Sequence, residues 1–167
     1  MELILVRHGQ AAAQGIDAGD ASRPLTERGH LQARAVGAVL ANTGPQPDYL
    51  FSSPRLRARE TALGIATAWE GVSSVGGDSA SVIEVGWLDF DFRAEEVMKE
   101  LALLPEAKRV VLVGHEPSFS AFCGWLLGME TGYFEMKKAS VAVFELSPPT
   151  RRGSVLKMLL PSRILVP

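Results

Sequence analysis

Leu3-Ile4-Leu5-Val6-Arg7-His8-Gly9 decides how this chain is read. Four consecutive apolar residues form a strand buried on both faces, which belongs in a parallel sheet covered by helices above and below. The run ends in two ionisable side chains and a glycine that lets the backbone turn tightly. The pattern recurs at Arg109-Val110-Val111-Leu112-Val113-Gly114-His115-Glu116-Pro117, where a second apolar strand runs into a glycine and a histidine. Between them, Tyr49-Leu50-Phe51-Ser52 reads as a short strand and Ser81 to Val85 as another.

Helical segments separate these strands. Thr26 is an N-cap, and Leu31, Ala35, Ala38 and Val39 mark a helix that stops near Asn42-Thr43-Gly44. Ser53-Pro54 starts the next, with Ser as N-cap and Pro in the first helical position, and it runs to about Trp69. Arg93 to Leu104 is amphipathic and ends at Pro105, and Pro117 to Leu127 follows the strand at 109–113. Ser140 to Leu146 and Val155 to Leu160 read as an antiparallel pair joined through Ser147-Pro148-Pro149 to Gly153. Alternating strands and helices predict an α/β fold: a three-layer α/β/α sandwich with a mainly parallel central sheet and an antiparallel C-terminal strand pair. Residues 10–24, rich in Ala, Gly and Asp, and Val72 to Ala80 are read as loops.

Composition bounds the function. The 167 residues suit a single domain spanning 1–167, and 47% apolar with 22% charged residues allows a real core. A formal net charge of -2 argues against nonspecific nucleic-acid binding. No apolar stretch reaches the ~18 residues of a membrane span, and the N-terminus lacks the pattern of a signal peptide. The expectation is a cytoplasmic protein without membrane or nucleic-acid partners. Cys123 is the only cysteine and sits among Phe122, Trp125 and Leu126, so it is read as core. No arginine follows it at the spacing of a C-x5-R phosphatase loop. Gly76-Gly77 is not a P-loop, because no Gly-Lys-Ser/Thr follows.

In open α/β sheets, ligands bind beyond the carboxyl ends of the strands. That rule selects Arg7-His8-Gly9, Ser52-Ser53 and Gly114-His115. The helix start at Ser53-Pro54-Arg55-Leu56-Arg57-Ala58-Arg59 carries three arginines where the helix dipole already supplies positive charge. One of them facing an anion would explain the arrangement, since dipole and guanidinium then act together. Arg55 and Arg59 are read as solvated, and Asp17 and Asp20 as charges of an exposed loop.

On these residues the sequence resembles the histidine phosphatase superfamily, the phosphoglycerate mutase-like fold, and most of all its short SixA-type phosphohistidine phosphatases. Arg7-His8-Gly9 resembles the RHG motif, and Arg23-Pro24-Leu25-Thr26-x-x-Gly29 the RPLT-x-x-G segment. Ser53-Pro54-x-x-Arg57-Ala58-x-x-Thr61 resembles the helix start that binds phosphate, and Gly114-His115-x-Pro117 the second-histidine motif. The resemblance implies that His8 is the nucleophile and becomes phosphorylated, while Arg7, Arg57 and His115 line the phosphate pocket. Arg23, Gly9 and Ser53 are expected to help bind substrate. It implies no metal and no cofactor, and as partner either a protein phosphorylated on histidine or a small phosphomonoester. A noncatalytic phosphate-binding module is the remaining alternative.

The larger relatives carry an acid after the third strand. Here Glu84-Val85-Gly86-Trp87-Leu88-Asp89-Phe90-Asp91 holds no clean match, and Asp89 is the possible general acid. An alkoxide leaving group needs a proton donor, whereas an imidazole needs far less help. The lack of a matching acid therefore favours phosphohistidine. Trp87 is read as packing, or as an edge of the pocket.

Overall fold

Six strands form one sheet in the order β3-β2-β4-β1-β5-β6 in a computed structural model. The structure describes residues 1–13, 19–70, 81–129, 133–147 and 153–166. Expectations placed on Asp17, the loop from 72, Gly76-Gly77 and the turn from 148 lie outside them. The strands are β1 (Glu2–Arg7), β2 (Tyr49–Ser52), β3 (Val82–Glu84), β4 (Arg109–Gly114), β5 (Val141–Leu146) and β6 (Ser154–Leu160). β1, β2, β3 and β4 run parallel; β5 is antiparallel to β1 and β6 to β5. This is the expected mainly parallel sheet with an antiparallel C-terminal pair.

Residue alternation along the strands builds two cores. Leu3, Leu5, Phe51, Val110 and Leu112 face α3 (Ala94–Ala102) and α4 (Ser118–Leu126). Ile4, Val6, Leu50, Val111 and Val113 face α1 (Glu27–Thr43) and α2 (Leu56–Ala66). Each fully buried aliphatic side chain contributes about 1.5–3 kcal/mol, so both faces of the central strands must be covered. No helix among the described residues is long and apolar enough to cross a membrane.

The helix over 27–43 stands, but its buried face differs from the predicted one. Gln32, Ala33, Val36, Gly37 and Leu40 point inward, while Leu31 is 50% exposed. The reason is α2, whose Gly64 approaches Ala33 and whose Ile65 approaches Gly37 so closely that small residues are required on this seam. Thr26 caps α1 as expected, accepting from the Gly29 amide at 3.1 Å. At the other end, buried Arg109 donates through Nη2 to the Leu40 carbonyl at 3.1 Å and so closes the last turn.

The start of α2 also needs correction. Ser53 is neither its N-cap nor is Pro54 in its first turn: the helix begins at Leu56 with Arg55 as the cap residue. The Ser53 amide extends the sheet by donating to the Val113 carbonyl at 3.0 Å. A residue before proline is held extended, so the chain turns into helix later than the local pattern suggested.

Candidate active site

Strand register brings the motifs together. Arg7 is paired with Gly114 and Ser52 with Val113, so the carboxyl ends of β1, β2 and β4 form one edge. His8 and His115 follow directly, and their ring centroids lie 5.1 Å apart. Both are buried, as is Arg57 from the start of α2.

The His8 ring is locked in one orientation. Nδ1 lies 2.8 Å from the Gly9 carbonyl oxygen, which can only accept, so Nδ1 carries the proton. Nε2 therefore presents its lone pair, and Arg57 Nε donates toward it at 3.3 Å. Thr61 explains the end of its motif: its hydroxyl donates to the Arg57 carbonyl at 2.7 Å and accepts from the Gly9 amide at 3.0 Å. The two motif glycines meet as well. A Cβ on Gly29 would sit 2.1 Å from the Gln10 carbonyl oxygen, and one on Gly9 2.8 Å from that of Gly29. Backbone contact of this kind seats the loop after His8 directly on the first turn of α1.

Arg7 is held from the opposite side. Its Nη1 donates to the Met136 carbonyl at 2.7 Å, and the Ala139 amide donates to the carbonyls of both Arg7 and His8 at 3.0 Å. Ala139 adopts the left-handed backbone region at φ 55, a conformation these two bonds and complete burial maintain. The segment before β5 was not recognised from sequence, since its contribution is made by backbone atoms.

Ser53 has a different job from the one its position suggested. Its hydroxyl accepts from the Arg55 amide at 3.3 Å and lies 2.7 Å from His115 Nε2. Four buried side-chain atoms among the described residues have no hydrogen-bond partner, and two of them, His115 Nδ1 and Arg7 Nε, belong to residues of this sheet edge. Buried polar groups are satisfied almost everywhere in folded proteins, so two such atoms at one edge point to a polar ligand.

Asp20 and Arg55 were assigned to solvent, and the structure places both at the site. Asp20 Oδ2 accepts from Arg55 Nη1 at 2.8 Å and Arg57 Nη2 at 2.9 Å, and Oδ1 accepts from Arg23 Nη1 at 2.8 Å. Arg23 thus reaches the cluster through Asp20, while its Nε donates to the Ala12 carbonyl at 2.9 Å. Asp89 Oδ1 accepts from Arg55 Nε and from the Phe90 amide. Phe90 was missed: the Arg55 guanidinium lies 3.8 Å over its ring centroid, and its ring packs 4.8 Å from His115. Arg59, by contrast, makes a surface ion pair with Glu84. Trp87 packs on Phe51 away from these groups, and Cys123 is fully buried, its thiol pushed by burial up to about 12.

Electrostatics follow from burial. The His8 imidazole is lowered to about 3, first by burial and then by the charges of Arg57, Arg7 and Lys138. His115 falls to about 2, again by burial first and then by His8, Arg57 and Arg55. Both rings are thus neutral at physiological pH, which a nitrogen nucleophile requires. Hydrogen bonds from Arg23 and Arg57, against the opposing effect of burial, hold Asp20 down to about 2.

The unfolded chain binds protons at both imidazoles below about pH 6.5, while the folded chain does so only near 3 and 2. The unfolded state carries more protons in between, so stability must fall as pH drops through that window. In a ¹⁵N-histidine NMR titration His8 and His115 should stay neutral from about pH 8 to about pH 5, with the urea midpoint falling over the acid half. Protonation of either ring near pH 6 would contradict this geometry.

Comparison with known proteins bears on the family and the fold. The family model of the histidine phosphatase superfamily (branch 1) matches residues 3–80. An uncharacterized protein of Picosynechococcus sp. strain PCC 7002 is 33% identical over 150 residues, covering 84% of this chain and 82% of that one. The protein histidine phosphatase SixA complexed with tungstate superimposes with a TM-score of 0.81 at 21% identity, over 99% of both chains. A protein of Nakamurella multipartitia described as a phosphohistidine phosphatase SixA gives a TM-score of 0.70 at 26% identity, over 95% of this chain and 94% of that one. With its motifs gathered at one sheet edge and its relatives alike across most of the chain, this protein belongs to the histidine phosphatase superfamily.

Proposed function

We propose that the chain is a phosphatase that works through a phosphorylated His8 and that its substrate is phosphohistidine carried on a protein. The observation that carries the reading is the fixed His8 tautomer, with Nδ1–H on the Gly9 carbonyl and the Nε2 lone pair beside Arg57. Nε2 attacks phosphorus, the bond to the substrate's imidazole nitrogen breaks, and that nitrogen keeps the electron pair, so that a substrate ring protonated on its other nitrogen departs as neutral imidazole. Water then attacks the phosphorus of phospho-His8, releasing inorganic phosphate and restoring the neutral ring.

Phosphoryl transfer asks for positioning and charge neutralisation more than covalent help. Arg7 and Arg57 present planar forks of donors to the nonbridging oxygens. Ser53 accepts from the Arg55 amide, so its own proton can go to His115 Nε2, leaving Nδ1–H to donate to a third oxygen. In this reading the guanidiniums supply the charge that a metal supplies elsewhere. Gly9 contributes its carbonyl, Ser53 orients His115, and Arg23 acts through Asp20.

Leaving-group chemistry favours phosphohistidine over a sugar phosphate or phosphoserine. An alkoxide must be protonated as it departs. The carboxyl groups of Asp20 and Asp89 are both engaged by guanidiniums, and Asp89 serves in this reading to anchor Arg55. An imidazole already protonated on its second nitrogen leaves as a neutral molecule and needs no such donor. Similarity of fold to protein histidine phosphatase SixA supports the same substrate class.

The test is a substrate panel. A histidine-phosphorylated carrier domain should be turned over with a kcat/KM at least ~100-fold above p-nitrophenyl phosphate, phosphoserine and sugar phosphates. A clear preference for the sugars would make the protein a small-molecule phosphomonoesterase.

A further inference from the structure

The Arg57 guanidinium assigned to phosphate, together with its neighbour Arg55, already holds an anion of the chain's own. Oδ2 of Asp20 sits 2.8 Å from Arg55 Nη1 and 2.9 Å from Arg57 Nη2, and its backbone carbonyl accepts from Arg57 Nη1 at 2.7 Å. These are the distances at which guanidinium donors grip a carboxylate or a phosphate. Nε–H of Arg57 points toward His8, so three of its five N–H donors are engaged within the chain. A phosphoryl group that reaches His8 Nε2 meets this guanidinium already held by a carboxylate and competes with Asp20 for it.

The way out is short. The turn Asp20–Ser22 buries none of its residues, so moving it forfeits polar contacts and almost no apolar area. Nor does the arginine cluster collapse when Asp20 leaves, because Asp89 keeps Arg55 and the Ala12 carbonyl keeps Arg23.

We propose that Asp20 is an autoinhibitory contact built into the site: its carboxylate occupies Arg55 and Arg57 in the free protein and must be displaced by any phosphoryl group that reaches His8. The inference rests on the reading of this cluster as the phosphate site. The cost of the displacement is the same whatever carries the phosphoryl group, so it lowers kcat/KM for every substrate by a common factor.

Inorganic phosphate and vanadate binding to the whole chain, measured by calorimetry, tests the competition directly. Asp20→Asn should bind phosphate roughly tenfold more tightly than the unaltered protein, the scale set by releasing partly exposed ion pairs. Asp20→Glu, which keeps the charge, should stay within about threefold of it. In turnover, Asp20→Asn should raise kcat/KM for p-nitrophenyl phosphate and for a histidine-phosphorylated carrier domain by a similar factor. Unchanged or weaker phosphate binding in Asp20→Asn would overturn the competition and make Asp20 a holder of the arginines. A gain on one substrate and not the other would overturn the common cost. Should Asp20→Asn lose its cooperative thermal unfolding, Asp20→Ala serves in its place, with the same expectations. Failure of the carrier domain as a substrate would instead sink the phosphohistidine reading and leave the phosphate measurement valid.

Discussion

His8→Ala is expected to lose turnover by ~10⁴-fold or more and to form no covalent intermediate. The substitution removes the only group proposed to bond to phosphorus, and direct attack by water has no positioned substitute for it. Acid quench of the unaltered enzyme during turnover should trap phosphate on His8, located by peptide mapping, and the variant should trap none. His8 is buried, yet its ring touches mainly polar groups, so the fold should survive truncation. Phosphate binding provides the control. Arg7, Arg57 and His115 remain in His8→Ala, so affinity for inorganic phosphate should change far less than turnover. A variant within tenfold of the normal rate would remove His8 as nucleophile, and a trapped phosphate on another residue would reassign it.

The second large effect belongs to Arg57. Loss of its guanidinium should cost about 2–4 kcal/mol of transition-state stabilisation, by analogy with single oxyanion donors. That corresponds to roughly 30- to 900-fold in kcat/KM. Three consequences separate this from simple damage to the core. Arg57→Lys should recover little, because a single ammonium nitrogen cannot present the planar pair of nitrogens with which the guanidinium reaches an oxyanion. The His8 imidazole should take up a proton at higher pH than in the unaltered protein, since the Arg57 charge is one of the influences that lower it. Asp20 should lose two of its hydrogen bonds and leave the pocket more readily. Unaltered kcat/KM in Arg57→Ala would end its assignment to the phosphoryl oxygens.

Much of the architecture was legible because its causes are local. Continuous apolar runs at Leu3–Val6 and Arg109–Val113 can be satisfied only by burial on both faces, and they became the two central strands. Thr26 caps α1 through a bond to an amide three residues on, a contact written into the chain itself. The burial register of α1 was not legible. It depends on Gly64 and Ile65 of α2, and nothing in the helix's own pattern announces that its partner demands small residues.

The site divides along the same line. Arg7, His8 and His115 could be named from residue type and from their places at strand ends, Arg57 only through the family motif it matches, and β1, β2 and β4 bring those ends to one edge. Asp20, Arg55 and Phe90 could not, because a charged loop residue and an exposed aromatic look alike in sequence whether they meet solvent or one another.

By itself, then, the order of residues determined the α/β layering and the chemical cast of the site, since periodicity, caps and strand-end residues act over a few positions. Tertiary structure alone decided which carboxylate the arginines hold, which tautomer His8 adopts and which atoms are left without a partner. Those outcomes depend on distances between segments far apart along the chain, and only folding sets them.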